Sequence, residues 1–180
     1  MPIMPDIPFV KSRVQGPAFN AIGIVVHKTE AGYQHCLKGF QHGPKAPHFL
    51  IGKREYQVAQ LVDTSYLAAH VGPGANALYI GIEFESILAR PGIHGQDPLV
   101  NEDELTPYQM WTGRQIIDWI CKTHGIRKVG PPTSSQWRQC GGRWPGVLGH
   151  ANVAEGGFFK TNHGDTVQFI DMIALEVWPQ

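Results

Sequence analysis

Apolar residues along this chain fall into short runs separated by glycine, proline and polar clusters, and the spacing inside each run predicts its element. Residues 21–27, Ala-Ile-Gly-Ile-Val-Val-His, are apolar at successive positions, the pattern of a strand buried on both faces. Residues 31–42 carry Tyr33, Leu37 and Phe40 on one side of a short helix. The runs at 48–51 and 56–61 flank the polar stretch Gly52-Lys53-Arg54-Glu55, a β-hairpin signal. Residues 78–85 alternate: Leu78, Ile80, Ile82 and Phe84 point one way, and Tyr79, Gly81, Glu83 and Glu85 the other. Thr106 as N-cap, Pro107 at the first helical position and Gln109 at the third open the clearest helix. Its stripe of Met110, Gly113, Ile117, Ile120 and Cys121 has a 3.6-residue period, and Gly125 stops it.

A last apolar run, Val147-Leu148-Gly149, closes on His150. Prolines break residues 1–20 into an irregular lead-in, and residues 89–104 and 130–146 read as long loops. The order predicts a mixed α/β fold: one domain over residues 1–180, a central mixed β-sheet flanked by helices, and a cleft at the sheet edge where His27 and His150 emerge.

Charge and cysteine content narrow the function classes. Fifteen basic and 15 acidic residues cancel, and aromatics do not alternate with basic residues, so neither nucleic acid nor an anionic membrane is an expected partner. Cys36, Cys121 and Cys140 are odd in number and widely spaced, which argues against a disulfide framework or a cysteine-zinc knuckle. The N-terminus has no basic segment followed by an apolar one, and no run approaches the ~20 apolar residues of a membrane span. Synthesis in the cytoplasm, without a signal peptide or membrane insertion, is the expectation.

The candidate chemistry centres on two of the nine histidines. An unpaired imidazole is costly to bury, yet His27 and His150 each end a strongly apolar run. That placement points to ligands of one divalent metal, the centre of a zinc hydrolase with one zinc per chain. A catalytic zinc takes three protein ligands and keeps a position open. Beginning ten residues beyond His150, Lys160-Thr161-Asn162-His163-Gly164-Asp165 offers the third ligand and a cation. On chemistry alone His163 or Asp165 is preferable to Asn162, because a carboxamide oxygen binds zinc poorly. Glu83, on the polar side of its strand, is the candidate general base, with Glu85 as rival. Lys160 is the candidate cation for an oxyanion. His48 reads also as a satisfied core histidine, and His124 as a favourable cation in a helix's last turn.

Six segments, in order, resemble one family. They are Val25-Val26-His27, Pro47-His48-Phe49-Leu50-Ile51, Leu67-Ala68-Ala69-His70-Val71-Gly72, Ile80-Gly81-Ile82-Glu83-Phe84-Glu85, Leu105-Thr106-Pro107-Tyr108-Gln109 and Gly149-His150-Ala151-Asn152-Val153-Ala154. Each is weak alone; together, over residues 20–172, they resemble the zinc-dependent N-acetylmuramoyl-L-alanine amidases of the amidase_2 and peptidoglycan recognition protein superfamily, including phage endolysins. The resemblance implies a zinc groove that accepts peptidoglycan or muropeptides, and hydrolysis of the amide between the muramoyl lactyl group and L-alanine of the stem peptide. It carries over His27 and His150 as zinc ligands, Glu83 and Lys160 as catalytic residues, and His70 and His48 as substrate contacts. A monomer is the expectation, acting on the cell wall after release or on recycled muropeptides.

Three departures stand out. The family's third ligand, an aspartate or cysteine, falls on Asn162, with His163 beside it as the rival. A tyrosine that some phage members place before the His-Phe pair is Pro47. The gap from His150 to Lys160 is about two residues longer than in many relatives of the family it resembles, through Gly156-Gly157-Phe158-Phe159. A non-catalytic peptidoglycan-binding protein of the same fold is therefore the alternative, and a zinc amidase acting on another N-acyl substrate is a third.

Overall fold

A computed structural model describes residues 3–29, 31–86 and 105–155, leaving aside the side chains of residues 151, 154 and 155. The long loop expected at 89–104 and the cluster Lys160, Asn162, His163 and Asp165 lie outside the described residues. Five strands form one sheet: β1 (Gly23–Lys28), β2 (Phe49–Ile51), β3 (Val58–Gln60), β4 (Tyr79–Phe84) and β5 (Val147–Gly149), in the order β3-β2-β4-β1-β5. β1 pairs in parallel with β4 and β5, β2 in parallel with β4, and the hairpin partner β3 antiparallel with β2. The sheet is mixed, as the run order predicts. Ile24, Val25 and Val26 are at most 2% exposed, as a parallel strand covered on both faces requires.

The alternation in β4 sorts the core. Ile80, Ile82 and Phe84 join Ile24, Val26, Phe49 and Ile51 against Ile116, Ile117 and Ile120 of the long helix α2 (Pro107–His124). On the other face, Leu50 packs with Tyr33 and Cys36 of α1 (Tyr33–His42), while Val25 and Tyr79 pack with Leu148 and Trp137. Gly113 lets α2 approach closely, since a Cβ there would lie 2.7 Å from a Phe84 ring carbon. The ends of α2 follow the residue signals. Thr106 and Gln109 form a reciprocal capping box, and Gly125 takes the left-handed conformation at φ 66°. Among the described residues no helix is long and apolar enough to cross a membrane.

Two expectations need correction. Residues 130–146 are not wholly loop: Ser134–Gln139 forms a short helix, α3, opened by a capping box between Thr133 and Gln136. The buried Trp137 ties it to the sheet, and the Tyr79 hydroxyl donates to the Gly142 carbonyl at 3.0 Å. The Thr-x-x-Gln signal was present, but two prolines before it masked it. His48, expected from the resemblance as a substrate contact, lies inside the core. It is fully buried, accepting from the Gly81 N–H at Nδ1 and donating from Nε2 to the Tyr66 carbonyl, each at 3.0 Å. Position 48 shares the parity of Leu50, on the α1 side of the sheet, and its ring lies between those of Phe19 and His70. The core reading holds.

Two stability predictions follow from these elements. Burying an isoleucine contributes about 1.5–3 kcal/mol, more than a helix cap at about 1 kcal/mol, so packing holds α2 and capping sets its ends. In urea unfolding, Ile117→Ala should cost about 2–5 kcal/mol and Thr106→Ala about 1 kcal/mol. Burial lowers His48 to about 4, with His124 adding to the effect. The folded protein therefore favours the neutral ring, so this contribution is complete above about pH 6.5 and is lost as pH falls towards 4, at up to about 1.4 kcal/mol per pH unit. Unfolding midpoints measured across that window should fall less steeply in His48→Gln than in the parent.

Candidate metal centre

Strand register creates the site. β1 pairs with β5 so that Val26 lies beside Gly149, which sets the next residue of each, His27 and His150, side by side. His150 is the first residue of α4 (His150–Glu155). The turn is held by Asn152, whose Oδ1 accepts from the Gly149 N–H at 2.8 Å. Both imidazoles are nearly buried, at 2% and 4% exposure. Their Nδ1 atoms stand 3.1 Å apart, with the rings crossing at 71°.

Two imidazole nitrogens that close can share one proton or one cation. In a tetrahedral zinc site with Zn–N of about 2.0–2.1 Å, two ligand nitrogens are about 3.3 Å apart. The observed separation fits such an edge, and uncharged nitrogen donors suit zinc. Among the described residues no group of three or more His, Cys, Asp and Glu side chains forms a metal cluster. The remaining ligands are expected from the sequence at 160–165, outside the described residues.

His70 stands behind His27. Its Nδ1 is 3.0 Å from His27 Nε2, and its own Nε2 is 3.0 Å from the Tyr79 carbonyl. Burial, then the neighbouring His27 and His48, holds the His70 ring well below the usual histidine range, so it is neutral at pH 7. The ring edges the cleft, but both nitrogens are engaged inside the protein.

The two glutamates separate by surroundings. Glu83 pairs in register with His27 across β1 and β4 and lines the same cleft. Glu85 is 9% exposed, and its carboxylate accepts from the backbone N–H of Tyr33 at 2.9 Å and of Lys53 at 2.7 Å. α1 has no side-chain cap of its own, so Glu85 supplies one from the neighbouring strand. Glu85 is a structural carboxylate. Of the two, Glu83 is the one that lines the cleft.

The cleft, about 250 Å³, is also lined by Lys28, Thr29, Cys36, Lys45 and Pro47. The residue reading missed these except Pro47. Lys28 and Thr29 were foreseeable, because residues following a cleft-lining histidine at a strand end rim the same opening. Lys45 and Cys36 were not, because only the packing of α1 against β2 brings them there. Burial raises the Cys36 thiol above its ordinary value, which keeps it protonated.

Comparison with known proteins gives this geometry its context. The fold is similar to that of the Staphylococcus aureus hydrolase AmiA in complex with its ligand, at 15% identity, covering 97% of this chain and 82% of that one, with a TM-score of 0.64. It is also similar to the Clostridium intestinale endolysin N-acetylmuramoyl-L-alanine amidase LysCS, at 20% identity, 84% coverage of each chain and a TM-score of 0.51. A third similar fold is that of the Escherichia coli N-acetylmuramyl-L-alanine amidase AmiD, at 18% identity, covering 83% of this chain and 61% of that one, with a TM-score of 0.50. No curated protein matches the chain in sequence. The model of the Amidase_2 family, N-acetylmuramoyl-L-alanine amidase, matches residues 19–166. That span takes in both imidazoles, Glu83 and the polar cluster beyond α4, and the chain belongs to the Amidase_2 family.

Proposed function

We propose that this chain is a zinc-dependent amidase that hydrolyses the amide between N-acetylmuramic acid and the L-alanine of the peptidoglycan stem peptide. The observation that carries the reading is the 3.1 Å approach of two buried Nδ1 atoms in a cleft that also holds Glu83. His27 and His150 hold the metal, with Asn162 or His163 completing the set. Bound zinc supplies Lewis acidity and lowers the pKa of water to about 7. Glu83 takes the proton from the attacking water and returns it to the leaving nitrogen as the C–N bond breaks. Lys160 offsets the negative charge that develops on the carbonyl oxygen. Support for the substrate comes from AmiD, which has been solved with anhydro-N-acetylmuramic acid-L-Ala-D-gamma-Glu-L-Lys. The protein acts on the cell wall or on released muropeptides.

A second reading rests on Asn162, a weak ligand where the family resemblance expects an acid or thiol. It is a peptidoglycan-binding protein of this fold without turnover.

Metal analysis and mass spectrometry of digested muropeptides separate the two. The purified protein should hold about one zinc per chain and release stem peptides that begin at L-alanine. His27→Ala should lose metal and activity together. Glu83→Gln should keep zinc and lose at least about 100-fold in turnover. Glu85→Gln should instead lose about 1–3 kcal/mol of stability with turnover per folded molecule retained. Of Asn162→Ala and His163→Ala, the one that removes the true third ligand should weaken zinc retention sharply. An unchanged digest together with tight peptidoglycan binding would establish the binding protein instead.

A further inference from the structure

We propose that His70 is a positioning residue that fixes the tautomer and ring orientation of His27, so that His27 turns its Nδ1 lone pair towards His150. This role rests on the zinc reading above.

Hydrogen-bond bookkeeping leaves one assignment. The Tyr79 carbonyl can only accept, so the His70 nitrogen 3.0 Å from it, Nε2, must carry the proton. A neutral imidazole has one N–H, which makes His70 Nδ1 an acceptor. The atom facing it at 3.0 Å is His27 Nε2, which must then donate. His27 is left with its lone pair on Nδ1, the atom 3.1 Å from His150 Nδ1. The opposite His27 tautomer would set two lone pairs against each other at the His70 contact.

The surroundings hold His70 in this pose from several sides. Its own N–H, with those of Val71 and Gly72, donates to the single Oδ1 of Asn76 at 3.0, 2.9 and 3.2 Å. Its ring lies over Gly81, where a Cβ would fall 2.4 Å from the ring atoms. It meets His27 edge-on, with centroids 5.1 Å apart and planes at 87°, and His48 at 5.7 Å and 72°. The backbone clamp, the glycine clearance and the carbonyl acceptor serve one ring in one orientation. Such outer partners raise ligand basicity and hold ligand direction, and their loss commonly weakens metal affinity about 10–100-fold.

The test compares the parent with His70→Phe, which keeps a ring without nitrogens, and His70→Asn, whose Oδ1 can stand in for the Nδ1 acceptor. Zinc affinity, read by competition with a chelator, should fall about 10–100-fold in His70→Phe and be largely restored in His70→Asn. In the zinc-free parent, ring-nitrogen NMR should show His27 protonated at Nε2, a reading that survives even if His70→Phe fails to fold. A His27 protonated at Nδ1 alone would overturn the assignment. A parent that binds zinc while His70→Phe binds it equally well would overturn the role of His70 and leave the metal reading standing. A parent that takes up no zinc would defeat the metal reading itself.

Discussion

Parallel pairing of β1 with β5 is the constraint from which the candidate site follows. The two segments are more than a hundred residues apart, and neither has a local reason to know of the other. Once Val26 is beside Gly149, the two following imidazoles have nowhere to go but towards each other. A slip of one residue would send His27 to the opposite face, into the apolar layer under α2. The fully buried Ile24, Val25 and Leu148 hold the register, because a shift would expose them and bury a ring without partners. The hydrophobic core thus acts as the positioning device for the polar site.

Concentrating imidazoles in an apolar setting has a cost, and the structure spreads it over a hydrogen-bond network. His27, His70 and His48 each sit within a ring's width of another histidine, so charging one would disfavour charging the next. Backbone groups of β4 resolve the conflict: the Tyr79 carbonyl serves His70, and the Gly81 N–H serves His48. One strand therefore supplies the neighbouring carboxylate Glu83, the acceptor for the ring behind His27, and the donor to His48 Nδ1.

How much of this the residues announce depends on whether a signal is local. β1, the hairpin and the ends of α2 are encoded within a few residues, through runs of apolar side chains, a polar turn and a capping box, and their boundaries fall within about two residues of expectation. α3 had a local signal that the surrounding prolines and glycines outweighed. The partition between Glu83 and Glu85 had none. Both lie on the polar side of β4, and only the start of α1 at Tyr33, packed against the strand end, turns Glu85 into a cap. His48 and His70 carry equal motif weight, yet β2 buries one while the other edges the cleft. Such distinctions depend on contacts between segments far apart in the chain.

The proposed centre rests on two imidazoles acting as one ligand pair. X-ray absorption at the zinc edge, on protein loaded with a single equivalent, examines that most directly. Nitrogen scattering with imidazole character at about 2.0–2.1 Å is expected, reduced by one ring in His150→Ala and in His27→Ala alike. A zinc environment that neither substitution changes would mean that the metal lies elsewhere and that the 3.1 Å approach is no more than a shared proton.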